Sequence, residues 1–136
     1  MVHGADLETA VRELTDGRGV DVVIDPVGGE LRTRASAQLA PFGRLVVLGN
    51  ASGEDTAIAG DSVWQGTRQV LGLSLGGVAH LVPERVGAAL SALVDLVHRG
   101  VLGEPAPAVL PPDRVAEVHQ ALAERTAPAK TVLAVR

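Results

Sequence analysis

The sequence predicts an α/β fold: a short, mostly parallel sheet with helices on both faces. Three observations carry that prediction. Val20-Asp21-Val22-Val23-Ile24-Asp25 and Gly43-Arg44-Leu45-Val46-Val47-Leu48 are nearly unbroken aliphatic runs, the pattern of strands covered on both sides. One helix length of sequence separates them, as a right-handed strand–helix–strand crossover requires. Both runs close on glycine, at Gly28-Gly29 and at Gly49, and open α/β sheets bind ligands at that carboxyl edge.

The elements follow in order. Leu7, Ala10, Val11 and Leu14 recur at helical spacing, with Gly17 as the stop. The first strand is Val20–Asp25. Leu31, Ala35 and Leu39 mark one face of a helix that Pro41 ends. Arg44–Leu48 is the second strand. Residues 50–67 are polar and weakly patterned, with a short helix near Asp61–Gly66. Arg68–Ser74 is a third strand, closing at Gly76-Gly77. Pro83 suits the first turn of a helix whose apolar stripe is Val86, Leu90, Leu93, Val94 and Val97, ended by Gly100. Pro105 to Pro112 is proline-rich, with Ala108–Leu110 as a short edge strand at best. Val115, Val118 and Leu122 give a last helix from Pro112 or Asp113, and Thr131–Val135 a last strand. The chain divides into residues 1–103 and a tail, 104–136.

Bulk composition narrows the function classes. The chain has 136 residues, enough to bury a core, and that core is aliphatic because Phe42 and Trp64 are its aromatics. Net charge is -4 with arginines scattered among acids, so no basic stripe for nucleic acid exists. No apolar run reaches the length of a membrane span, and no basic, apolar leader opens the chain. Cysteine is absent, which removes disulfides and thiolate metal sites and suits a cytoplasmic protein.

The residues Val11-Arg12-Glu13-Leu14-Thr15, Gly17-Arg18-Gly19-Val20-Asp21-Val22-Val23, Asp25-Pro26-Val27-Gly28-Gly29, Gly43–Gly49 with Ala51-Ser52-Gly53, and Ala129-Lys130-Thr131-Val132-Leu133 occur in one order. In that order they resemble the C-terminal part of the medium-chain dehydrogenase/reductase superfamily, in its zinc-independent quinone oxidoreductase branch. The resemblance implies the second half of a Rossmann-like dinucleotide-binding domain. It implies NADP or NAD as cofactor, no metal, and hydride transfer to a quinone or an activated alkene. It places Gly28, Gly29, Leu48, Gly49, Asn50, Gly72, Leu73 and Ser74 along the nicotinamide half of the cofactor. It implies a homodimer through the edge strand Arg68–Ser74, and a small-molecule substrate.

The sequence departs from that pattern where phosphate is held. No Gly-x-Gly-x-x-Gly turn stands between a strand and a helix; Gly17-Arg18-Gly19 precedes a strand and lacks the third glycine. No acid can be assigned to the adenosine ribose, since its strand would lie upstream of Met1. The chain therefore reads as a cofactor half-domain plus tail, inactive and weak in cofactor binding alone, with no catalytic residue to name. Hydride chemistry belongs to the cofactor, so a missing catalytic constellation does not oppose the reading.

Other readings compete. One is a non-nucleotide assembly module or a repurposed small enzyme. Another is a serine hydrolase: Gly72-Leu73-Ser74-Leu75-Gly76 matches Gly-x-Ser-x-Gly, with Asp95 or Asp113 and His98 or His119 downstream. Against it, residues 78–82 do not start a helix at once, and Asp95 and His98 read as a surface pair on one helix. His3, His80, His98 and His119 form no linear metal motif. Asp25 reads as a turn-forming aspartate ahead of a cofactor contact, Trp64 as a hydrophobic plug, and Lys130 as a turn residue.

Overall fold

A computed structural model describes residues 6–103, 106–124, 126–127 and 130–135. His3, Pro105 and Ala129 lie outside the described residues. Two compact units emerge, 1–82 and 83–136.

The first unit opens with α1 (Leu7–Leu14). Thr15 ends it: its hydroxyl donates to Val11 O at 2.7 Å and accepts from Gly19 N at 3.1 Å. Asp16 and Gly17 then turn the chain with positive φ. Strand β1 (Val20–Asp25), helix α2 (Gly29–Ala37), strand β2 (Leu39–Val47), helix α3 (Gly60–Gln65) and strand β3 (Gln69–Gly72) follow. The strands lie side by side in the order β1-β2-β3, and both pairings are parallel. This is the parallel α/β arrangement that the aliphatic runs predict.

Leu39 departs from the expected helix face. It is the first residue of β2, pairs with Val20 and is buried at 4% exposure. The residue before proline is driven out of the helical region, so α2 stops short of Pro41. Gly19 then lets β1 lie against the chain here, since a Cβ on it would stand 2.5 Å from Gln38 O. The register shifts between Val20 and Val22 to absorb Pro41 and Phe42, and Phe42 takes φ 66°.

Register sets the two sheet faces. Val23, Leu45 and Val70 are aligned across the three strands, and Leu45 is fully buried under α2 and α3. Ile24, Val46 and Leu71 are aligned on the other face, where Ile24 remains 64% exposed within this unit. Glu8 on α1 and Arg34 on α2 pair at 2.8 Å and tie the two helices together.

A four-residue helix, α4 (Leu75–Val78), begins directly after Ser74, where the sequence reading closes the third strand at Gly76-Gly77. Gly76-Gly77 therefore sits in a helix and not at a strand end. The second unit holds α5 (Pro83–His98), strand β4 (Ala108–Leu110), a 3-10 turn at Pro112–Arg114, α6 (Val115–Ala123) and strand β5 (Thr131–Leu133). Gly100 follows α5 with φ 69°, as a helix stop requires. β4 and β5 pair in parallel across the α6 crossover, so Ala108–Leu110 is a true sheet strand. No described helix is long and apolar enough to cross a membrane.

Candidate functional site

The carboxyl ends of β2 and β3 open onto a broad groove of about 680 Å³. Leu48, Gly49, Asn50, Gly72, Leu73 and Ser74 line it, six of the residues that the sequence places beside a cofactor. The hydrogen bonds explain the convergence. Leu73 N donates to Val47 O, and Leu48 N to Asp25 O, so each strand hands its neighbour on past the last ladder residue. Gly72 is the open floor: a Cβ there would meet nothing within 4 Å. Leu48 and Leu73 are half exposed beside it, and Asn50 and Ser74 supply polar edges.

Gly28 and Gly29 play a different part. They line none of this groove. Gly28 has φ 81° and ψ -161°, a region essentially reserved for glycine. A Cβ on it would stand 2.1 Å from Asn50 Oδ1, so its bareness makes room for the protein's own loop. Gly29 N donates to Glu54 O at 3.0 Å, closing the same loop.

Sequence reasoning missed the group that holds this edge in shape. Arg32, on α2, is buried and pairs with buried Asp25 through Nε at 2.5 Å. Its Nη2 donates to Gly49 O at 2.9 Å, and Nη1 reaches exposed Asp55 at 3.4 Å. Asp25 Oδ1 accepts from Val27 N and Gly28 N, at 2.8 and 2.9 Å. Burial opposes ionisation of Asp25, but the Arg32 bond and the two backbone N–H bonds outweigh it, and the carboxyl is held below its ordinary value. One guanidinium thus fastens the ends of β1 and β2 and the loop at Asp55. Both Asp25 oxygens are used internally, so its turn-forming reading is the observed one. The available signal was an aspartate ending a buried strand with an arginine one helical turn into the next element.

Gly72 lies open between Leu48 and Leu73, and Asn50 and Ser74 are the uncharged polar side chains of the lining. The charged lining residues are Arg32, already committed to Asp25 and Gly49 O, and Asp55, an anion. Neither provides for a pyrophosphate.

Other sequence candidates sit elsewhere. Ser74 caps α4, its Oγ accepting from Gly77 N at 3.2 Å. Asp95 pairs with Arg99 at 3.2 Å, not with His98. Trp64 is 68% exposed and donates to Asp61 Oδ1, so within its unit it plugs nothing. Among the described residues, no three side chains of histidine, aspartate or glutamate gather as a metal-binding set.

Three parallel strands with a glycine-floored groove at their carboxyl ends form the α/β arrangement in which ligands bind at that edge. The chain belongs to the zinc-binding dehydrogenase family, whose model matches residues 3–133. It matches the C-terminal region of medium-chain dehydrogenase/reductases, and the relatives it resembles include quinone oxidoreductases. A quinone oxidoreductase of Pseudomonas aeruginosa is 35% identical over 124 residues, covering 90% of this chain and 38% of that protein. The quinone oxidoreductase-like protein 2 of Rattus norvegicus is 26% identical over 96% of this chain and 37% of its own length. Among solved structures, the Pseudomonas syringae pv. Tomato DC3000 quinone oxidoreductase superposes with a TM-score of 0.79 at 26% identity, over 96% of this chain and 40% of that one. A mycobacterial protein complexed with NADPH gives a TM-score of 0.78 at 26% identity, over 94% of this chain and 39% of that one. The chain thus spans under two fifths of the length of these two curated relatives.

Proposed function

We propose that this chain supplies the nicotinamide-side half of the cofactor sheet in a zinc-independent NAD(P)H-dependent oxidoreductase acting on a quinone or an activated alkene. The observation that carries the reading is the open floor at Gly72, flanked by Leu48, Gly49, Asn50, Leu73 and Ser74. Bound there, the cofactor supplies a hydride. The chain's own part is to shelter one ring face with Leu48 and Leu73 and to orient its amide with Asn50 and Ser74. Gly28 and Gly29 act one step back, by seating the loop that carries Asn50. The NADPH complex of the mycobacterial relative supports the choice of cofactor.

Alone, the chain binds the whole cofactor weakly and turns nothing over, because no charged residue lining the groove is free to hold pyrophosphate. Isothermal titration with NADPH tests this: the expected result is no micromolar binding, and a micromolar Kd refutes it. β1 and β3 are the sheet edges, and all four residues of β3 are exposed. Exposed strand edges recruit partners, so β3 pairs with its copy in a homodimer. Size-exclusion chromatography with light scattering checks this, and a stable monomer at tens of micromolar overturns it. A cytoplasmic location is part of the same proposal and rests on the cysteine-free composition.

A further inference from the structure

Arg68 is left unused by the cofactor reading. Arg18, Arg32, Arg34, Arg99 and Arg114 each meet a carboxylate within hydrogen-bonding reach. Arg68 meets none among the described residues, yet it is part-buried, whereas Arg12, Arg44 and Arg85, also without an ion pair, are exposed to water. Its Nη2 donates to Leu39 O at 2.7 Å, and its Nε is buried with no acceptor. A hole of about 20 Å³ beside it has room for one water, which would satisfy an N–H but not a charge.

This guanidinium borders a groove of about 280 Å³ between α2 and the segment 56–62. Thr33, Ser36, Thr56 and Ser62 line it, with Ile58 as an apolar wall, and no carboxylate does. Ser36 and Ser62 spend their protons on Thr33 O and Ala59 O. Among the described residues the hydroxyls of Thr33 and Thr56 have no acceptor and are free to donate. Asp55 and Asp61, the acids nearest in sequence, bond Arg32 with Thr56 N, and Trp64, respectively. The groove shares Arg32 with the cofactor groove and no other residue.

We propose that this second groove binds an oxyanion carried by a small organic molecule, with Arg68 as the charge partner and Thr33 and Thr56 as neutral donors. Arginine with hydroxyl donors is the usual chemistry for a carboxylate or phosphate oxygen. The test is an NMR titration of the full chain, reading backbone amides and the Arg68 Nε–H. Inorganic phosphate and acetate are the probes, and sodium chloride at equal ionic strength is the control. Saturable shifts at Ser36, Ile58, Ser62 and Arg68, with a Kd of about 1–10 mM for at least one probe, are expected. Which probe binds more tightly distinguishes phosphate from carboxylate. Arg68→Gln abolishes the response and Thr56→Val weakens it at least about threefold; should Arg68→Gln fail to fold, Thr56→Val and Thr33→Val decide. Linear shifts, an equal response to chloride, or unchanged affinity in the threonine variants overturns the proposal. None of these results touches NADPH titration, so the two readings fail separately.

Discussion

Replacing Arg32 by alanine is the sharpest test of what shapes the strand ends. Asp25 and Arg32 are 4% and 5% exposed, so the variant strands a carboxylate out of water. Breaking a buried pair from one side costs about 3–5 kcal/mol. Asp25 keeps its bonds from Val27 N and Gly28 N, which places the loss near the lower end, about 3 kcal/mol. The bond to Gly49 O adds about 1 kcal/mol. The sum, about 4 kcal/mol, is a large share of the 5–15 kcal/mol typical of a domain. With a urea m-value of about 1.5 kcal/mol/M, the unfolding midpoint falls by about 2–3 M. Far-UV circular dichroism is the assay, since Trp64 is exposed and its fluorescence reports little. The double variant Arg32→Ala with Asp25→Asn is expected to be more stable than Arg32→Ala alone, because an amide needs no counter-charge. A midpoint shift worth less than about 1 kcal/mol, or no recovery in the double variant, refutes the reasoning.

Three further outcomes are expected. Glu8 is held at about 2, below its ordinary 4.5, chiefly by the bond from Arg34. Its stabilising effect is therefore complete above pH about 4.5 and is lost as pH falls towards 2, so wild type and Glu8→Gln should converge in urea titrations across that window and differ above it. Gly28→Ala should cost about 1–3 kcal/mol through its backbone region, plus the overlap with Asn50 Oδ1, whereas Gly72→Ala should leave the melting temperature within a few degrees and weaken binding of a reduced nicotinamide mononucleotide fragment followed by NMR. Ser74→Ala should lose about 1 kcal/mol of helix capping, and an active-site phosphonate should leave wild-type Ser74 unlabelled; labelling would revive the hydrolase reading.

Much of the framework is legible in the chain itself. The aliphatic runs at 20–25 and 43–48 announce parallel strands, and Pro83 and Gly100 bracket α5 as their backbone preferences demand. Leu39 was misplaced because helical spacing continued one residue too far, while proline at 41 and the bare backbone of Gly19 favoured a strand. Trp64 was misjudged because hydrophobicity alone does not say whether a neighbour exists to cover it. The glycines at 28 and 72 look alike in sequence, yet one is filled by Asn50 and the other faces open space.

Local rules reach as far as period, turn and cap, since these depend on residues a few places apart. They determined the class of fold, the order of the strands and the family to which the chain belongs. Tertiary structure decided the rest: which glycine is a floor and which a socket, that Arg32 spends its charge on Asp25, and that Arg68 meets no carboxylate among the described residues. Those are facts about charges and volumes that meet only after the chain has folded back on itself, across 7 residues for Asp25 and Arg32 and 29 for Arg68 and Leu39. No periodicity in the sequence encodes such separations.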